Sequence, residues 1–124
     1  MLKIVVGGQI NKQEIKDYIE KTLGADQVQL AVMNDLDAVM AMKAGKYDYY
    51  IGACNTGGGG ALAMAMALLG AKNCKTISMP GKVLPDAEIE KAVADGVKAF
   101  GFTAGHTEQV LPVWLKAIQN QNGK

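Results

Sequence analysis

A three-layer α/β sandwich on a mainly parallel sheet of four strands, with a fifth as the alternative, is the fold this sequence predicts. Three observations predict it. Short apolar runs rich in β-branched residues alternate with helix-periodic segments, the pattern that lays crossover helices on both faces of a parallel sheet. Glycines and N-capping residues punctuate the alternation. The 124 residues suffice to bury one core without disulfides or a structural metal.

Residues 2–6 read as a buried strand stopped by Gly7 and Gly8. Asn11 and Glu14 stand at capping-box spacing, and Ile15, Tyr18, Ile19 and Leu23 recur at helical intervals up to Gly24. Residues 28–33 form the second strand. Asn34, with Asp37 three residues on, caps a helix that carries Leu36, Val39, Met40 and Met42 to its stop at Gly45. Residues 47–54 are the third strand, and the third helix over 60–69 has only Ala, Leu and Met after its first glycine. Residues 75–79 make the fourth strand, and Pro85 with Asp86 starts a helix reaching about Phe100. A last amphipathic helix sets Val110, Leu111, Trp114 and Ile118 on one face, and residues 119–124 read as a frayed tail. The simplest layout is a flavodoxin-like or Rossmann-like sheet in the order 2-1-3-4, one domain over residues 1–124 with no repeat or linker.

Composition narrows the function classes. A net charge of +1 with 20% charged residues points to neither nucleic acid nor a membrane surface. Every basic residue is lysine, so an anion must be held by backbone N–H groups or lysine rather than by arginine forks. Cys54 and Cys74 lie at opposite ends of the third helix, roughly 18 Å apart at 1.5 Å per residue, which is beyond disulfide reach. Free thiols and a start without signal-peptide zones lead us to expect a cytoplasmic protein. One histidine and two separated cysteines make no metal-ligand set, and neither a metal nor a cofactor is expected.

In a sheet of this order, ligands sit beyond the carboxyl ends of the strands where the order reverses, between the first and third strands. That nominates the loop with Gly8, Gln9 and Asn11, and the turn Cys54-Asn55-Thr56-Gly57-Gly58-Gly59-Gly60. Four consecutive glycines bring backbone amides within reach of a ligand, and the helix N-terminus that follows favours negative charge. A phosphate or carboxylate is the expected guest. Asn55 and Gln9 are candidates to orient it by hydrogen bonds, with turn chemistry alone as the alternative for Asn55. Lys82, after Pro80 and Gly81, either neutralises it or is a solvated loop lysine. His106, the only histidine, is either a surface residue or a proton shuttle. No Gly-Lys-Ser/Thr follows Gly52, which argues against a nucleoside triphosphate, and no acidic residue ends the next strand to hold a ribose.

Across nearly its whole length, most clearly in Val5-Val6-Gly7-Gly8-Gln9-Ile10 and from Gly52 to Ala65, the chain resembles a bacterial family catalogued as domain of unknown function 2620. Over about ten residues, Cys54-x-Thr56-Gly57-x-Gly59-x-Ala61-x-Ala63 is also similar to the glycine turn of the RpiB-type sugar-phosphate isomerases. That resemblance implies Cys54 as the base moving a proton between sugar carbons, with Thr56 and Gly57 to Gly59 cradling the oxyanion. A thiol beside a helix N-terminus has its thiolate favoured, which suits the role; an inert strand-end thiol is the alternative. The chain departs from those enzymes in having Gly7-Gly8-Gln9 where they carry an Asp-His pair, and in lacking their phosphate-gripping arginines.

The helix over residues 61–69 shows water no polar face and is too short to span a bilayer, which takes about 20 apolar residues. Self-association through it is the economical expectation. The sequence thus predicts a homo-oligomer binding a small anionic metabolite. A non-catalytic ligand sensor, or a soluble component working with a transporter, is the competing class.

Overall fold

The computed structural model describes residues 2–8, 10–54 and 59–122, with the backbone alone at 59–61. In chain order the elements are β1 (Leu2–Gly8), α1 (Lys12–Leu23), β2 (Val28–Val32), α2 (Asp35–Lys43), β3 (Tyr49–Cys54), α3 (Gly59–Leu69), β4 (Cys74–Thr76), β5 (Ser78–Met79), β6 (Lys82–Val83), α4 (Asp86–Ala94), β7 (Ala99–Thr103) and α5 (Thr107–Asn122). Five strands form a parallel sheet in the order β2-β1-β3-β7-β4, and β5 pairs antiparallel with β6 in a small hairpin.

The strand period divides the core in two. Ile4 and Val6, Tyr49, Ile51 and Ala53, and Phe100 and Phe102 face α1, α4 and α5; Val5, Tyr50 and Ala99 face α2 and α3. Helices therefore cover both faces, as the alternation of elements predicts.

The sheet has the fifth strand that the sequence left as the alternative, and it comes from a segment expected to be helical. The helix expected to reach Phe100 ends at Ala94, the chain turns at Gly96 with φ 94°, and Ala99–Thr103 inserts between β3 and β4. Phe100 and Phe102 are fully buried there, against one face of the sheet, which the strand's two-residue period achieves directly. The expected order 2-1-3-4 is corrected accordingly. The fourth strand is also shorter than expected. Ile77 still donates to the Gly101 carbonyl at 2.8 Å, but Ser78 leaves the sheet for the hairpin.

Smaller corrections concern boundaries. β1 does not stop before its glycines, because Gly7 and Gly8 pair with Gly52 and Ala53. Asn11 enters α1 from the left-handed region (φ 59°) and its side chain caps nothing, so the Asn11–Glu14 capping box does not form. The reason lies just upstream, where Ile10 folds back to donate to the Ala53 carbonyl at 3.3 Å. Asn34 does cap α2, accepting from the Asp37 amide at 2.8 Å. The buried face of α2 is Ala38, Val39 and Ala41, leaving Leu36 and Met40 half exposed. Residues 119–122, expected to fray, continue α5, and Asn122 Nδ2 donates to Tyr49 Oη at 2.8 Å. Among the described residues no helix is long and apolar enough to cross a membrane.

Candidate functional site

The sheet order reverses between β1 and β3, where the sequence places the ligand loops. At that junction three central strands carry glycine in register: Gly7 pairs with Gly52, and Gly52 with Gly101. Gly7 and Gly52 leave space on the α2/α3 side of the sheet, and the ring of Tyr50 occupies it. A Cβ on Gly7 would stand 2.5 Å from Tyr50 Cε2, and one on Gly52 would stand 2.9 Å from the Tyr50 hydroxyl. Neither position has room for another residue unless the tyrosine moves.

Tyr50 Oη donates to Asp35 Oδ1 at 2.5 Å, and the Gly8 amide donates to the same oxygen at 2.6 Å. Asp35 opens α2, so one carboxylate ties β1, β3 and α2 together at the carboxyl edge of the sheet. Gly8 holds φ 83°, and a Cβ there would meet the Ala53 backbone N at 2.6 Å, so only glycine delivers this amide without strain. Burial pushes the ionisation of the Tyr50 phenol up, helped by the hydrogen bond and negative charge of Asp35 and, weakly, by Cys54; the Gly8 backbone pulls the other way. The phenol therefore keeps its proton and serves as a donor.

Cys54 ends β3 on the same side of the sheet as Tyr50 and is fully buried, its carbonyl accepting from the Ala104 amide at 2.9 Å. Gly59 and Gly60 form the start of α3. Asn55, Thr56, Gly57, Gly58 and Gln9 lie outside the described residues. Gly8 and Asn11 stand at the β1–α1 corner, as expected.

His106 joins the same edge on its other side. Ser78 Oγ accepts from the Thr103 amide at 2.8 Å and lies 3.0 Å from His106 Nδ1. The hydroxyl keeps its proton and a second lone pair, so it donates to Nδ1 in one histidine tautomer and accepts from it in the other. Thr103 pairs with Cys54, so β7 carries His106 to within a short loop of the thiol. Lys82 is exposed on β6, in the hairpin that Ser78 anchors, and so stands on the His106 side rather than over the β1–β3 junction.

The sequence reading missed Tyr50, Asp35 and Ser78. Glycines recurring within two residues of the ends of apolar strands were the available signal for a bulky neighbour lying across them. Nothing local marks Asp35, which looks like any acidic residue in a first helical turn. An open groove of about 230 Å³ among Leu2, Leu23, Gln27, Gln119 and Asn122 lies at the opposite end of the strands and carries no titratable side chain. Among the described residues no three His, Cys, Asp or Glu side chains converge to hold a metal ion.

Comparison with known proteins places this edge in context. The chain is 40% identical over 119 residues to the uncharacterized protein YhfU of Escherichia coli strain K12, covering 96% of this chain and 100% of YhfU, and equally to that of Shigella flexneri. Among solved structures it is similar to ribose-5-phosphate isomerase B of Giardia lamblia, with a TM-score of 0.65 at 14% identity over 94% of this chain and 93% of that one. The ribose 5-phosphate isomerase RpiB of Thermotoga maritima gives a TM-score of 0.67 at 13% identity, over 94% and 85% of the two chains. At such identities the likeness is one of fold, and it matches the mainly parallel α/β sheet described above. The family model for the protein of unknown function DUF2620 matches residues 2–118, and this chain belongs to that family.

Proposed function

We propose that the carboxyl edge of the sheet between β1 and β3 binds a small phosphorylated or carboxylated metabolite, and that Cys54 moves a proton on it in a sugar-phosphate isomerase-like reaction. The observation that carries the reading is a coincidence in space. Cys54 ends β3 at the switch point, just before the N-terminus of α3, in a fold shared with ribose-5-phosphate isomerase B structures.

In this reading the Cys54 thiolate takes a proton from the carbon beside a carbonyl, and the electron pair moves onto the carbonyl oxygen. The amides of the glycine turn, with Thr56, hold that oxyanion. The thiol then returns the proton to the neighbouring carbon while His106 carries the proton exchanged between the oxygens. Bonds and electrons balance within the sugar, so no redox partner takes part. Ribose 5-phosphate in deuterated water, followed by NMR, tests it. The protein should wash deuterium into the sugar, and Cys54→Ser should slow this by about 100-fold or more. Exchange that survives the substitution removes Cys54 as the base.

A second reading, a non-catalytic sensor or transporter-associated component, is favoured by the complete burial of Cys54, which also suits a thiol that only packs. Ligand binding without exchange would select it. In either case the exposure of Met64 and Met66 on α3 and of Leu36 and Met40 on α2 in the single chain supports a homo-oligomer that covers them. Light scattering should give a mass of two chains or more, and Met66→Lys should reduce it.

A further inference from the structure

Asp35 is a half-buried carboxylate with unequal oxygens. Oδ1 receives two short hydrogen bonds, from Tyr50 Oη at 2.5 Å and from the Gly8 amide at 2.6 Å, whereas among the described residues Oδ2 has no partner. The donors are built in with care. Gly8 is held at φ 83°, and the Tyr50 ring lies in space that side chains on Gly7 or Gly52 would fill. A staple between α2 and the sheet needs one hydrogen bond to an exposed acid; here a buried tyrosine and three glycines fix a single carboxylate at the mouth of the β1–β3 junction.

We propose that Tyr50 is a positioning residue that acts through Asp35, and that Asp35 Oδ2 accepts a hydrogen bond from a hydroxyl group of the ligand. The inference rests on the reading of this edge as a metabolite site and narrows its ligand class. The carboxylate is an acceptor only, so it selects a donor and repels an anion. The N-terminus of α3 at the end of the neighbouring β3 favours the opposite charge. A site with these two ends fits a polyhydroxylated anion, with its hydroxyl at Asp35 and its charged group toward α3, better than a bare phosphate or a simple dicarboxylate. Because the phenol donates and the carboxylate accepts, Oδ1 is occupied and Oδ2 is the oxygen left to accept from a ligand.

Asp35→Asn is the decisive variant. The amide oxygen can still accept from Tyr50 and Gly8, while an NH2 replaces Oδ2, so a purely structural role predicts a lower melting temperature, from weaker neutral hydrogen bonds and the lost charge at the start of α2, with ligand preference unchanged. Calorimetric titration with ribose 5-phosphate and with inorganic phosphate reads the preference. The wild-type protein should bind the sugar phosphate more tightly than phosphate. Asp35→Asn should weaken the sugar phosphate by about tenfold or more, a typical loss for a hydrogen bond to a charged group, and leave phosphate unchanged or tighter. Tyr50→Phe, which keeps the ring, should weaken only the sugar phosphate, and by less. A preference that survives Asp35→Asn overturns the inference while the metabolite site stands. Equal binding of both probes by the wild type does the same. Binding of neither overturns the inference together with the reading it rests on.

Discussion

Tyr49 and Tyr50 are chain neighbours that point to opposite faces of one sheet, and their surroundings have almost nothing in common. Tyr49 packs against Trp114 and Phe100, with ring centroids 6.0 Å and 6.4 Å away, and its hydroxyl accepts from Asn122. Around it lie the large side chains of α1, α4 and α5. Tyr50 faces Val5, Ala38, Val39, Leu62, Ala65 and Ala99, lies over glycines, and turns its hydroxyl to a carboxylate. The first face is built for cohesion. The second gives up apolar volume to place a donor, an acid and a thiol at the carboxyl edge, the bargain expected where a fold supports a site.

If that division holds, substitutions should sort by face. Trp114→Ala, at the centre of the aromatic cluster, should destabilise by about 3–5 kcal/mol in urea unfolding without touching the edge residues. Gly8→Ala should cost about 2 kcal/mol or more, since it combines a left-handed backbone with a Cβ pressed on the Ala53 backbone. Tyr50→Phe should cost about 1.5 kcal/mol at neutral pH through the lost bond to Asp35.

The same variant should change the response to alkali. A phenol whose ionisation is pushed up in the fold keeps a proton that the unfolded chain releases above about pH 10, so the folded state loses stability as the pH climbs past that point and is unaffected below it. Wild type should therefore lose about 1.4 kcal/mol per pH unit more than Tyr50→Phe above pH 10, measured by thermal unfolding. Tyr49→Phe, the smallest effect, should cost under about 1 kcal/mol and leave ligand preference alone. A larger effect at Tyr49 than at Tyr50 on binding would dissolve the contrast.

The alternation of apolar strands and periodic helices made the α/β architecture readable, because burial on both faces of a parallel sheet imposes it on every strand. The Asn34 cap was equally readable, being a local bond within four residues. What escaped was non-local. Whether Phe100 ends a helix or begins a strand depends on the space between β3 and β4, and nothing near Phe100 encodes that space. Asn11 and Glu14 have the spacing of a capping box, but the return of Ile10 onto Ala53 overrides it. Among the candidate site residues, the glycine turn and Cys54 announced themselves by composition, whereas Asp35 takes its hydrogen bonds from Tyr50 and Gly8, fifteen and twenty-seven residues away in sequence.

The central claim, that a small anion binds at the glycine turn beside the β1–β3 junction, is tested most directly by thermal shift against sugar phosphates and small carboxylates, on the wild type and on Gly59→Val. A ligand at 100 times its dissociation constant should add about 2.7 kcal/mol to the wild-type protein and nothing to the variant, which replaces the glycine that opens α3 with a branched residue. A ligand that stabilises both proteins alike, or a broad panel that stabilises neither, would contradict the claim.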